Sequence, residues 1–359
     1  MSTFYLYRTW HSQLTQLLPE RCPSRLRNLT WVLVGLYLAM SVHLSAIVRQ
    51  WPMTAKNRSL TKRVERFLDN PAVRVRAWYE AVARALIAPF AGGEVRLVID
   101  GSKVGHGHQL LMVALAHRRR TLPLAWTWVK GTRGHSSAQT QLAVLAYVKG
   151  LLPARTRVML VGDAEFGSIS VLRQLRRWRW GYVLRQKSNH LVRPKHSRQW
   201  RPFGQVVQKP GEGVWWGDAF LTQEWQYPTA LLAYWAPGED EPWLLATNLA
   251  DARHARQAYQ RRMWIEEMFG DLKGHGFDLE TSRLQHFLHL SRLTLAVCLV
   301  YVWLLHIGQR AIKAGQRHWV DRHDRRDLSL FRIGWYLIEK RLALQQEFTI
   351  AFYPLVSGS

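Results

Sequence analysis

Residues 95–100 read VRLVID, an apolar, β-branched run that ends in an acid, and residues 157–163 read RVMLVGD, which repeats that form. Between them lie two more apolar runs, QLLMVALAH (109–117) and TLPLAWTWV (121–129), parted by the basic turn RRR (118–120). The spacing of SAQTQLAVLAYVKGLL (137–152) then predicts a helix. Beyond the second acid, SISVLRQLRRW (168–178) reads as a helix and GYVLRQK (181–187) as a strand.

Three strands followed by helix, strand, helix and strand is the element order of an RNase H-like α/β core. Many folds share such an order, so the function has to be argued from particular side chains. Working outward, residues 1–93 carry apolar positions at three- and four-residue spacing. Segments such as LTKRVERFLDN (60–70) join an apolar face to a basic one. This predicts a helical N-terminal domain, suited to binding DNA or to capping the next unit. Residues 94–190 form the first part of the core. Residues 191–250, with Trp200, Trp215, Trp216, Trp225, Trp235 and Trp243 amid Gly and Pro, predict a β-rich insertion. Helical periodicity returns over 251–315 to complete the core, and 316–359 form a C-terminal helical segment containing RRDLSLFRIGWYLIEKRLAL (325–344).

Composition narrows the function. The 359 residues are 48% hydrophobic, enough for a sizeable core, and 50 Lys and Arg face 25 Asp and Glu, a formal net charge of +25. Such an excess repels itself and calls for a polyanionic partner. Eighteen tryptophans are interleaved with the cations, and bases stack on such rings. Cys22 and Cys298 stand far apart without metal-ligand spacing, which argues against a disulfide framework or a structural zinc. The opening residues MSTFYLYRTWHSQL do not form a signal peptide pattern. Leu29 to Val48 lacks charge and approaches spanning length, and Leu293 to Leu305 is too short to span; both are expected as buried helices, with no membrane partner. A cytoplasmic, nucleoid-associated prokaryotic protein is the expectation.

Metal-assisted phosphodiester cleavage needs several carboxylates around shared cations. Asp100 and Asp163 each follow an apolar strand, where a side chain emerges from a sheet edge. Either alone would be an ordinary cap or turn residue; the pair points to a site. A third acid is expected from a helix over the sheet. YQRRMWIEEMFGDLK (259–273) places Tyr259, Arg262, Glu266 and Lys273 on one broad face of a helix. Glu267 is about 100° around from Glu266 and cannot share that face. Glu165 is left outside the catalytic set. His106, His108, His117 and His135 fit no zinc spacing and are assigned DNA-backbone or structural roles.

Tyr-x2-Arg-x3-Glu-x6-Lys resembles the YREK signature of the IS4-type DDE transposases, which include the Tn5 transposase. VIDGS (98–102), LVGDAEFGS (160–168), WLLATNL (243–249) and RMWIEEMFGDLKGHGF (262–277) resemble the accompanying blocks. The resemblance spans roughly residues 94–315. It implies an RNase H-like core with a β-strand insertion, in which Asp100, Asp163 and Glu266 ligate two Mg²⁺ or Mn²⁺ ions. It further implies that Tyr259, Arg262 and Lys273 contact DNA phosphates and that Trp243 stacks on a flipped base. The implied activity is cut-and-paste transposition through a hairpin intermediate, by a homodimer acting on double-stranded terminal inverted repeats and target DNA. The alternatives are an RNase H-like nuclease without strand transfer and an inactive transposase-derived DNA-binding protein.

Overall fold

The computed structural model describes residues 2–104, 107–130 and 136–352. Strands β1 (Glu94–Val104), β2 (His108–His117) and β3 (Arg120–Lys130) form an antiparallel meander. Arg118 and Arg119, at φ 46° and 61°, make the whole β2–β3 turn. Two consecutive left-handed residues match the twist of the flanking strands. Helix α6 (Ala138–Leu151), capped by the Ser137 hydroxyl accepting from the Thr140 amide, leads to β4 (Arg157–Gly162), parallel to β1. Helix α7 (Ile169–Arg177) leads to β5 (Gly181–Arg185), parallel to β4. The order is β3-β2-β1-β4-β5, with β2 alone reversed. That is the RNase H-like arrangement the element order predicts.

The β-rich stretch continues this sheet. Strands β6 (Leu191–Pro194), β7 (Arg201–Pro202), β8 (Gly213–Leu221), β9 (Tyr227–Tyr234) and β10 (Trp243–Thr247) extend it as β5-β10-β9-β8-β6-β7, ten strands among the described residues. Side chains stitch the β5–β10 seam. The Thr247 hydroxyl donates to the Tyr182 carbonyl at 2.7 Å, and the Asn248 amide group receives from Tyr182 N and donates to the Trp180 carbonyl, both at 2.9 Å.

Helices flank the sheet in sequence. Before it come α1 (Ser2–Leu17), α2 (Pro23–Ala39), α3 (Leu44–Arg49), α4 (Asn57–Asp69) and α5 (Val75–Ile87). After it come α8 (Ala252–Tyr259), α9 (Met263–Leu272), α10 (Phe287–Lys313) and α11 (Leu330–Ala343). Helicity is therefore interrupted over 273–286, and the last helix starts at Leu330, later than its sequence pattern suggests. The uncharged stretch 29–48 is broken at Met40, whose φ of 53° ends α2. Leu293 to Leu305 is the middle of a longer element: among the described residues, α10 is the one helix long and apolar enough to cross a membrane. Its apolar window is 94% buried inside the protein, however. Helices α2 and α11 and strand β3 pack against it. The Trp303 ring of α10 meets Trp10 at 5.2 Å and Tyr37 at 5.5 Å, and Tyr37 also meets Trp335 of α11. The N-terminal and C-terminal helices thus share one aromatic core.

Helices α10 and α11 approach until their backbones touch. A Cβ on Gly308 would stand 2.0 Å from the Leu330 carbonyl oxygen, and one on Gly334 would stand 1.9 Å from that of Leu304. Neither backbone can yield without separating the helices. Gly308→Ala is therefore expected to cost about 2 kcal/mol, as overpacking does. Gly150→Ala, within α6 and facing open space, should instead gain about 0.5–1 kcal/mol from helix propensity. Denaturant unfolding of both variants checks the contrast.

Candidate active site

The last register pair of the parallel β1–β4 ladder is Ile99 with Gly162. One step beyond it stand Asp100, within β1, and Asp163, the first residue past β4. Asp100 is not at the end of its strand, as the sequence suggested. Pairing with β2 continues from Asp100↔Met112 to Val104↔His108, so the hairpin partner carries β1 past the acid. What ends at Asp100 is the parallel partner. Asp163 leaves β4 in extended conformation and starts the short 3-10 turn Ala164–Phe166.

Asp100 is only 8% exposed, and its Oδ1 accepts from the Gly101 amide at 2.7 Å. A Cβ at position 101 would stand 2.1 Å from Gln109 Nε2, so any side chain there would displace the end of Gln109. Gln109 crosses there to donate to Glu165 at 3.1 Å, and Glu165 also accepts from the Ser136 amide and hydroxyl. Glu165 thus ties the turn after Asp163 to β2 and to the start of α6. Gln141 donates to the Glu165 carbonyl and to Ser136. None of Gln109, Ser136 and Gln141 stood out in the sequence, since uncharged polar residues carry no chemical signature until their contacts are known.

The segment 259–273 is not one helix. Helix α8 ends at Tyr259, Gln260–Arg262 form a tighter 3-10 turn, α9 runs from Met263 to Leu272, and Lys273 leaves the helix at φ −101°, ψ −136°. The four signature positions therefore do not share a single helical face. Arg262 and Glu266 reach the aspartates. The Arg262 guanidinium lies 3.8 Å from Asp100 Oδ2 and 3.6 Å from Asp163 Oδ2 through Nη2, and 2.6 Å from Glu266 Oε1 through Nη1. The two aspartate oxygens, sharing one nitrogen, are no farther apart than the sum of their distances to it. Glu267 turns the other way, to Arg120 Nη1 at 3.0 Å, and Arg120 also holds the buried Asp271 at 3.0 Å. This second cluster fastens the far face of α9 to the start of β3, so Glu266 faces the sheet edge.

Tyr259 is 3% exposed, and its hydroxyl has no hydrogen-bond partner among the described residues. Its ring lies edge-on to Trp243 at 5.1 Å, and half-buried Trp243, the first residue of β10, also touches Tyr234. Lys273 is held away from the acids: its Nζ donates to the Lys103 carbonyl at 2.6 Å, toward the end of β1. Beside Asp163 a cavity of about 770 Å³ opens, with Ala164, Arg185, Lys187, Trp235 and Glu241 among its walls. Arg185 and Lys187 were legible only as the end of a strand. His117 is buried against Gln309 at 2.9 Å, and His108 packs edge-on to Phe287; His106 and His135 lie outside the described residues.

Burial pushes the Asp100 carboxyl up to about 7; Arg262 and the Gly101 amide oppose this, while Asp163 and Glu266 add to it. Burial likewise disfavours the Arg262 charge, but the facing acids outweigh it and hold the guanidinium protonated. Three hard oxygen donors suit Mg²⁺ or Mn²⁺, and Asp163 Oδ1 is buried without a partner among the described residues. The donors fit in kind. Among the described residues no three His, Cys, Asp or Glu side chains are gathered so as to hold a metal ion as they stand; the Arg262 guanidinium lies among these three acids.

A family model described as a transposase DDE domain matches residues 94–303. No curated protein matches the chain. Among solved structures it is similar to the piggyBac transposase in its synaptic complex with hairpin DNA. That likeness has 11% identity and a TM-score of 0.46, covering 95% of this chain and 79% of that one.

Asp100 ionises near 7 in the fold against 3.8 for an unperturbed group, so between those values the folded state binds the proton more tightly. Stability falls as pH rises through that window and no further above it. In the presence of EDTA, Asp100→Asn should be more stable than wild type at pH 8, with the difference shrinking toward pH 4. Thermal unfolding across pH tests this; a gap that widens on acidification would contradict it.

Proposed function

This chain belongs to the transposase DDE domain family and is an enzyme acting on DNA, and from that premise we propose that it carries out cut-and-paste transposition of an insertion element of the IS4 type. The observation that supports this best is the convergence of Asp100, Asp163 and Glu266 on one guanidinium. In this reading the three carboxylates hold two divalent ions, Mg²⁺ or Mn²⁺. Bound there, the ions supply activation of an attacking oxygen and stabilisation of the leaving one.

The protein's own groups do the positioning. Gly101 N fixes one oxygen of Asp100, leaving Oδ2 turned toward the shared centre. Arg120 holds α9 so that Glu266 completes the set. Arg185, paired with Glu241 at 2.8 Å, and Lys187 would offer positive charge along the approach, and Tyr259, Arg262 and Lys273 would contact phosphates flanking the cut. Trp243, already braced edge-on by Tyr259, would receive the base flipped out when the end is bent into a hairpin. The helices of residues 1–93 would bind terminal inverted repeats. Exposed Lys56, Arg58, Lys62 and Arg66 on and beside α4 offer a cationic face for this. Two protomers would pair on DNA, and exposed Trp319, Tyr336 and Leu344 near the C-terminus suit such a contact.

The test is incubation with DNA carrying the element's terminal inverted repeats and Mg²⁺, followed by denaturing electrophoresis. Nicked, then hairpin-ended, then target-joined products are expected. Asp163→Asn should lower cleavage at least about a hundredfold while end binding by mobility shift is retained. Cleaved ends that never join a target would favour the nuclease reading, and cleavage surviving in Asp163→Asn would remove the site assignment. Trp243→Ala should retain the first nick and lose hairpin formation.

A further inference from the structure

We infer that Arg262 is an internal counter-cation that holds the three carboxylates together before divalent ions load, and that loading and Arg262 retention in the cluster exclude one another. The inference rests on the carboxylate reading above and adds to it a role for the arginine. Arg262 Nη1 stands 2.6 Å from Glu266 Oε1, and Nη2 faces both aspartates. A Mg²⁺ ion takes oxygens at about 2.1 Å, on the same lone pairs and in the same volume. The guanidinium and an ion held by these acids would compete for that space.

Two further features make the arginine displaceable. Its Nε is buried with no hydrogen-bond partner among the described residues, so its seat among the acids leaves that donor unsatisfied there, which withdrawal toward water or a phosphate would relieve. Its lid is slight: Met263, 51% exposed, touches Nη1 through its sulfur at 3.6 Å. The turn Gln260–Arg262 that carries it is a single 3-10 turn between two helices, so the side chain can leave without moving α9. Released, the guanidinium remains beside the groove flanked by Arg185 and Lys187, where a phosphate would lie. Ion loading and phosphate capture are thereby coupled through one side chain.

Mn²⁺ binding to the full-length, DNA-free protein, read by electron paramagnetic resonance, tests this without reference to cleavage. Arg262→Ala should bind Mn²⁺ roughly tenfold more tightly than wild type, within the usual range of coupling between sites. Guanidinium chloride at non-denaturing concentration should weaken Mn²⁺ binding to Arg262→Ala more than equal sodium chloride does, because free guanidinium refills the slot; wild type should respond alike to both salts. Unchanged or weaker affinity in Arg262→Ala, or indifference of that variant to guanidinium, overturns the inference. Asp163→Asn separates the layers of the argument. If it removes Mn²⁺ binding while Arg262→Ala changes nothing, the inference alone falls. If Mn²⁺ binds Asp163→Asn as well as wild type, the carboxylate site falls with it. Wild-type protein labelled with ¹⁵N-arginine gives a measurement free of folding effects: the Arg262 Nε resonance should move on addition of Mg²⁺, and an unmoved resonance at saturation overturns the inference.

Discussion

A guanidinium with 14% of its side chain exposed and an aspartate that is almost wholly buried are each costly alone, by several kcal/mol per uncompensated ion. They persist because each is the other's counter-charge. The compensation is incomplete: three carboxylates against one guanidinium leave a formal deficit of two positive charges when all are ionised. Part of that deficit is met by protonation, which is why burial and the neighbouring acids raise Asp100. The remainder is a demand for cationic charge at a point the fold holds fixed. Much of the surrounding architecture can be understood as the means of holding it there.

The means are largely backbone. Parallel pairing of β1 with β4 stops one residue short of both aspartates, so neither depends on a flexible loop for its position. The antiparallel partner β2 braces Asp100 from the other side. Glu266 has no such ladder and is positioned by charge: Arg120, anchored at the start of β3, grips Glu267 and Asp271 on the opposite face of α9. The sheet beyond β5 contributes too. Because β10 pairs directly with β5, Trp243 arrives beside Tyr259 as part of the same rigid surface that carries Asp163.

The strand and helix order of residues 94–187 was legible because apolar alternation and helical spacing differ sharply in period. The two aspartates were legible as acids closing apolar runs. Register was not, since nothing in VRLVID or RVMLVGD states which residue of one faces which of the other. The signature segment shows the opposite failure. Its spacing of three, four and seven describes a regular helix, yet the chain tightens at Gln260–Arg262 and breaks at Lys273. The consequence is chemical: Arg262 and Glu266 converge on the aspartates, while Lys273 is tied to the Lys103 carbonyl. Glu165 could be seen but not interpreted, because its partners Gln109 and Ser136 come from a different strand and from the residues leading into α6. Helical periodicity covered α10, but its buried apolar length was under-read as Leu293 to Leu305: His289, Arg292, His306 and Arg310 interrupt the apolar run in sequence, while in the fold Arg292 is buried with its charge spent on the Leu68 and Val73 carbonyls.

The chain's net charge of +25 and its acidic centre pull on a polyanion in opposite directions. The overall field draws DNA in at a rate and strength that depend on salt, while the point where a phosphate would react repels it. On the proposed reading, a phosphate would come to rest at Asp100, Asp163 and Glu266 only after local positive charge exceeds local negative charge. Arg185, paired with Glu241, and Lys187 lie along the adjoining groove, outside the acidic centre, and would provide the first favourable contacts. The charge needed at the centre itself cannot come from them. It has to be brought in, and the guanidinium already seated there marks where.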